Sequence, residues 1–565
     1  MFAAPRKLIS SASGTWKLFA LALLSAVLLE LPFPLAGPMP AWRSLFAWFG
    51  LVPLLWALTA VAKRPRPLRL GCMLGYFAGV FWYMGNCYWV RDTMMKYGDM
   101  PPFAPELLLL AYSMYLGLYW GFFGLCFAVV QKRFSAVWAL AAAPFLWTAL
   151  DLATARITSV PWDQLGYSQV DNGLLNQLAP WTGVYGISFV LVAANALLAG
   201  VRLVGYGALT GNSGRGKLGN RTIWLAAGLL VIPVLISGIC VLPPMPASTA
   251  TAMLIQPNLE VSGVGYWNGP GEWEQHMALF AHLASESCKS SIAGIPETGA
   301  PTVHPPCPAQ PARPDLVVWP ESPAPYFEED PRFRASLAAL ATSTQTPFIV
   351  GSVGMELVPA ERSWREYNSA LVMGQDGRRI GRYDKIHLVP FGEYVPFQRF
   401  LFFARKLTGK VSRFDRGQEH RTFLINGHRY GVFICYEAVF ADEVREFAKF
   451  GAEALVNISD DGWYGDTSAP WQHLNMTRMR AIENRRWIVR ATNNGVTAAI
   501  DPYGRVRQSI PRRAEDVLAA GYAFRSDITF YSAHGDVFAW ACVLLSLGLL
   551  GWAVFERLAS KENRR

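Results

Sequence analysis

The sequence predicts a mixed class, membrane α-helical plus α/β, and two observations carry it. An α-helix needs about 20 apolar residues to cross a hydrocarbon layer of about 30 Å, and eight such windows occur in the chain, seven before residue 247 and one after residue 536. Residues 247–536 are more polar, with short apolar runs alternating with amphipathic stretches, the pattern of a layered α/β domain. The expected division is 1–246 for seven membrane helices, 247–536 for one domain outside the bilayer, and 537–565 for the eighth helix and its tail.

The windows run Trp16–Ala36, Trp42–Ala62, Leu70–Val90, Leu107–Val130, Ala136–Ala155, Ile187–Val204, Ile223–Val241 and Val537–Phe555. Arg6 and Lys7 ahead of the first resemble a leader peptide, but the seven further spans favour an uncleaved helix. The fifth carries Asp151 and is followed by Arg156; charges at such depth face protein or water, not lipid. Basic residues cluster on alternate loops: Arg6, Lys7 and Lys17; Lys63, Arg64, Arg66 and Arg69; Lys132 and Arg133; Arg215, Lys217 and Arg221; Arg557, Lys561, Arg564 and Arg565. The intervening loops hold chiefly Arg91, Lys96 and Arg156. Basic loops resist translocation, so both termini are expected in the cytoplasm and residues 247–536 outside. The net charge of +10 is explained by these flanking loops and anionic lipid, which sets nucleic-acid binding aside.

Cys72, Cys87, Cys126, Cys240 and Cys542 lie in or beside apolar spans, where a thiol behaves as a small hydrophobe. Cys288 and Cys307 flank a Pro-rich and Ser-rich stretch of the exported block, and an oxidising compartment predicts a disulfide there. No His-x-x-x-His or Cys-x-x-Cys grouping is present, so no metal is expected.

Within 247–536, β-branched and aromatic runs predict strands at Thr251–Ile255, Leu316–Trp319, Phe348–Val353, Ser369–Val372, Tyr430–Ile434, Ala454–Ile458, Trp487–Ala491 and Thr497–Ile500. Helices are expected at Trp273–Ser287, Pro331–Ala341, Ala441–Phe450 and Trp471–Arg485. Glu321 follows one strand, Cys435 another, and Lys385 sits in a loop rich in polar groups; strand ends are where α/β folds build sites. Singly each is commonplace: the Glu as a solvated cap, the Lys as surface charge, the Cys as core.

Order and spacing change that weighting. Trp319-Pro320-Glu321-Ser322, Lys385-Ile386-His387-Leu388-Val389-Pro390-Phe391-Gly392-Glu393 and Cys435-Tyr436-Glu437 resemble the Glu-Lys-Cys signature of the nitrilase (carbon-nitrogen hydrolase) superfamily. With seven spans before the block and one after, the chain is similar to the apolipoprotein N-acyltransferase family. The likeness extends to Pro161–Gln169, Asn457–Gly465, Pro470–His473 and Arg490–Gly495. The Cys288–Cys307 insertion is longer than the family pattern.

The resemblance implies an α-β-β-α sandwich inserted between helices seven and eight, in the periplasm of a bacterium with the spans in its inner membrane. It implies ping-pong acyl transfer without cofactor. Cys435 would take an acyl chain from the sn-1 ester of phosphatidylethanolamine, its thiol activated by cationic or hydrogen-bonding neighbours. Lys385 and the Tyr436 N–H would stabilise the oxyanion, and Glu321 would move the protons. The acceptor is the free α-amino group of a diacylglyceryl cysteine on an apolipoprotein. Glu393 would orient Lys385 or Glu321, Glu437 would join the same charge network or form a structural ion pair, Asn368 would hydrogen-bond near the site, and Trp267 would contact lipid or act as a lid. Trp162, Leu165, Trp181, Phe400–Phe403, Trp463, Trp471 and Phe530 are expected to line a lipid route or to pack the domain on the spans. The protein is expected to act as a monomer, with membrane lipids as surroundings. Two competing readings are a membrane-tethered amidase acting on a small amide, which eight spans disfavour because one anchor suffices, and a noncatalytic scaffold, which retention of all three reactive residues disfavours.

Overall fold

The computed structural model describes residues 14–98, 101–209, 247–261, 272–285, 313–321, 326–358, 363–390, 392–394 and 414–562. Among these, five stretches are long and apolar enough to cross a membrane: Ala41–Lys63, Ala104–Arg133, Ala136–Arg156, Val184–Val201 and Val537–Phe555. The expected first span is an α-helix only over Thr15–Glu30, 16 residues, because Pro32 and Pro34 follow and proline cannot continue a helix. The second is broken, a 3₁₀ stretch Ala41–Trp48 and then an α-helix Val52–Ala60. The third runs Pro67–Asn86 and is followed by a separate helix Trp89–Tyr97. The seventh, Ile223–Val241, lies outside the described residues.

The helices Pro67–Asn86 and Ala104–Arg133 cross at glycines. A Cβ on Gly75 would stand 2.1 Å from the Trp120 carbonyl oxygen, and one on Gly124 would stand 2.2 Å from that of Gly71. Small residues at such spacing let membrane helices touch backbone to backbone. At the C-terminal end of the fifth expected span, Arg156 pairs with Asp442 and Asp536, so this charge faces protein as expected.

Among the described residues the other half holds twelve strands in two six-stranded sheets. One has the order β12-β1-β2-β3-β4-β5, with β1 Ala250–Gln256, β2 Leu316–Val318, β3 Phe348–Val358, β4 Ser363–Met373, β5 Arg379–Asp384 and β12 Asp516–Tyr522. The second is β11-β10-β9-β8-β7-β6, with β6 Thr422–Ile425, β7 His428–Ile434, β8 Ala454–Ser459, β9 Ile488–Thr492, β10 Thr497–Ile500 and β11 Val506–Ile510. β1, β2 and β3 are parallel, as are β7, β8 and β9, and the remaining pairs are antiparallel.

Side chains alternate across a strand, and β1 shows the result. Ala252 and Leu254 enter the core between the sheets with Val432 and Val456, while Met253 and Ile255 pack under Phe280, Phe333 and Leu337 of the helices Glu272–Ser285 and Pro331–Thr344. The helices Ala441–Lys449 and Ala469–Asn484 cover the second sheet, completing four layers. Ala469–Asn484 is buried on nearly all sides because its far face meets the membrane helices: Gln472 donates to the carbonyls of Asn86 (3.1 Å) and Pro34 (3.4 Å), and Glu483 accepts from the Val184 N–H at 3.0 Å. All eight expected strands and all four expected helices are present; β5, β6, β11 and β12 are additional.

Candidate active site

β7 is an unbroken apolar strand at its C-terminal end, and the chain leaves it through a 3₁₀ turn whose first residue, Cys435, has φ +47°. Only glycine adopts that region freely, so a non-glycine residue there is held by its surroundings. Glu321 lies just beyond β2, and Lys385 just beyond β5. The fold thus gathers the three expected residues at strand ends, with relative exposures of 7%, 1% and 5% for Glu321, Lys385 and Cys435.

The Lys385 ammonium donates to Glu321 Oε1 at 3.0 Å and to Glu393 Oε1 at 2.9 Å. Asn368 bridges the same two carboxylates, donating Nδ2 at 2.7 and 2.6 Å. The second oxygens are held by backbone: Glu321 Oε2 by the Asp460 N–H at 2.9 Å and Glu393 Oε2 by the Val389 N–H at 2.8 Å. Expected partners Asn368 and Glu393 therefore belong to one cluster with Glu321 and Lys385.

Burial acts on each charge, and its neighbours decide the outcome. Burial alone would raise the Glu321 pKa, but Lys385 and the Asn368 amide outweigh it and hold the carboxyl below its usual range. For Lys385, burial pulls the pKa down and the carboxylates of Glu321 and Glu393 carry it well above normal. The Cys435 thiol is pushed well up, first by burial and then by the Glu321 charge, with Lys385 only partly opposing. The resting site is ionised Glu, ionised Lys and neutral thiol. This differs from the expectation of a thiol activated by a lowered pKa: burial and then the Glu321 charge outweigh the Lys385 ammonium at the sulfur.

Glu437 is also corrected. It makes no bond to Lys385; Oε1 accepts from the Tyr383 hydroxyl (2.8 Å) and the N–H groups of Ile386 (2.6 Å) and His387 (3.2 Å), and Oε2 from the Ile434 N–H (2.7 Å). It clamps the turn of Cys435 to the segment carrying Lys385. Burial and then the nearby Glu443 push its pKa up to about 8, against those donors. The Tyr436 phenol donates to the Ser159 carbonyl at 3.0 Å and its ring stacks on Trp162, so of Tyr436 only the backbone remains for chemistry.

Trp267, Cys288, Cys307 and Phe400–Phe403 lie outside the described residues. Of the expected route residues, Trp162, Leu165 and Trp471 are buried packing. Trp181 and Phe530 stack on each other while exposed, and exposed Trp463 meets Tyr97. Missing from the expected set are Ser459, Asp460, Asp461, His473 and Arg490, all buried around the cluster. Their signal was the polar run after the apolar strand β8, continuing into Pro470–His473.

Residues 252–524 match the family model "Carbon-nitrogen hydrolase", and residues 15–197 match "Apolipoprotein N-acyltransferase N-terminal domain". An apolipoprotein N-acyltransferase from Geobacter metallireducens is 34% identical over 549 residues, covering 96% of both chains. Another, from Allorhizobium ampelinum, is 29% identical over 557 residues, again with 96% of each covered. A third, from Haemophilus ducreyi, is 28% identical, covering 93% of this chain and 95% of its own. Both halves of the molecule thus find their counterparts in one set of proteins along almost their whole length, and the chain belongs to the apolipoprotein N-acyltransferase family.

Proposed function

We propose that the protein moves an acyl chain from phosphatidylethanolamine, through a thioester on Cys435, to the α-amino group of a diacylglyceryl cysteine on an apolipoprotein. The observation that carries this reading is the ion cluster Glu321–Lys385–Glu393 beside a buried thiol at the end of β7. As Cys435 sulfur bonds to the ester carbonyl carbon, its proton passes to Glu321. The oxyanion forms against the Lys385 ammonium and the Tyr436 N–H, donors already fixed before the charge appears. The lysophospholipid oxygen leaves with the proton from Glu321, and the acyl thioester remains. In the second half the amine attacks the thioester and gives a proton to Glu321; the sulfur leaves and recovers it.

The membrane half makes this substrate pair reachable. Extracting a chain into water costs about 0.8 kcal/mol per CH₂, so both lipids must enter sideways from the bilayer. Eight spans, a domain at 247–536 between the seventh and eighth, and an orientation with that domain in the periplasm complete the reading.

The deciding experiment incubates the purified protein with phosphatidylethanolamine labelled in its sn-1 chain. A hydroxylamine-sensitive label on the Cys435 peptide is expected, lost in Cys435→Ala and discharged by a diacylglyceryl peptide. Release of ammonia from small amides without any acyl-enzyme would overturn the reading.

A further inference from the structure

A second buried hydrogen-bond system reaches Cys435 through groups that take no part in the transfer above. β8 ends at Ser459, the turn after it holds Asp461, the helix Ala469–Asn484 supplies His473, and β9 supplies Arg490. All four are fully buried. Arg490 Nη2 donates to Asp461 Oδ2 at 2.6 Å, and Arg490 is fixed in turn by Asn457 and Thr477. Anchored in this way, Asp461 Oδ1 accepts from the Ser459 hydroxyl at 2.9 Å and lies 2.9 Å from His473 Nδ1.

From that oxygen His473 leads to the Cys435 backbone. His473 Nε2 is 2.9 Å from the Cys435 carbonyl oxygen; a carbonyl can only accept, so Nε2 carries a proton. Nδ1 lies between Asp461 and Arg490 Nη2, 3.2 Å away, and either protonation state at Nδ1 leaves the Nε2 bond intact. The backbone that His473 serves is the left-handed Cys435, φ +47°, a conformation that persists only where neighbours over-determine it.

We propose that Asp461, anchored by Arg490 and by the Ser459 hydroxyl, holds His473 as a positioning residue. His473 pins the Cys435 carbonyl and with it the turn that aims the sulfur and the Tyr436 N–H. The inference rests on Cys435 being the acyl carrier.

The test uses the full-length protein in vesicles containing phosphatidylethanolamine, with two readouts: single-turnover thioester formation and lipid affinity. Leaving a buried carbonyl without its donor slows acylation by about 10- to 100-fold, so His473→Ala is expected to fall in that range with lipid affinity unchanged, and His473→Gln, which keeps a donor for the carbonyl, to recover most of the rate. His473→Gln as slow as His473→Ala, or His473→Ala acylating at the wild-type rate, overturns the proposal. Absence of any thioester in the wild type would instead strike the acyl-carrier assignment.

Discussion

An ammonium buried between two carboxylates fixes how the site responds to pH. Glu321 has a folded pKa below its unfolded value of about 4.3, so the stability from its pairing is present above that value and lost as pH falls through the folded pKa. Lys385 has a folded pKa above about 10.4, so its contribution is present below that value and lost as pH rises through the folded one. Between these limits no proton is exchanged at rest. Single-turnover acylation is therefore expected to stay flat from about pH 6 to about pH 8; a tenfold rise per pH unit across that interval would mean that pre-formed thiolate attacks, without general base. Lys385→Met removes the oxyanion's cation and leaves Glu321 and Glu393 facing each other unneutralised. Thioester formation should drop by about 10²- to 10³-fold, and the acidic limb should move toward neutrality as Glu321 gains a like-charged neighbour. Unchanged acylation in this variant would remove Lys385 from the chemistry. These three residues were legible in sequence through the order and spacing of their motifs, since only Glu321 and Cys435 come after strands that the apolar runs predict. Glu437 was not, because adjacency to Cys435 says nothing about where a side chain points, and its four donors come from segments about 50 residues apart in sequence.

At the scale of elements, the glycines where Pro67–Asn86 meets Ala104–Arg133 set how closely two helices approach. Gly75→Ala places a methyl 2.1 Å from the Trp120 carbonyl oxygen, so the helices must separate, at a cost of about 1–3 kcal/mol. A lower melting temperature in detergent is expected, with Gly548→Ala as the neutral control because a Cβ there meets nothing within 4 Å. Equal melting of the two variants would show that the crossing tolerates slack. Sequence periodicity found the strands buried on both faces, such as β7 to β9, since these read as unbroken apolar runs. It missed β5, with its two arginines and an aspartate, and the four-residue β6, because edge strands need only one apolar face and their pairing is decided by partners distant in sequence. Span boundaries escaped for a related reason: hydropathy counts apolar residues, whereas Pro32, Pro34 and the 3₁₀ stretch Ala41–Trp48 interrupt the backbone without lowering it.

At the scale of the whole molecule, the site is built where the soluble half rests on the membrane half. The helix Ala469–Asn484 places His473 against the Cys435 carbonyl and, one residue earlier, Gln472 against Asn86 and Pro34 of the membrane half; the cluster is thereby fixed relative to the apolar helices. The side of the bilayer expected for it rests on the basic loops alone. Lys132 and Arg133 end one helix on the face assigned to the cytoplasm, whereas Arg378 stands on a turn of the large domain with its side chain 88% exposed. With an impermeant maleimide applied to spheroplasts, Arg378→Cys is expected to label from outside above the parent's background, and Lys132→Cys only after the membrane is opened. The reverse pattern would put the thiol on the cytoplasmic side, away from an acceptor that has been exported, and acyl transfer to a translocated lipoprotein would then be excluded however well the cluster is formed.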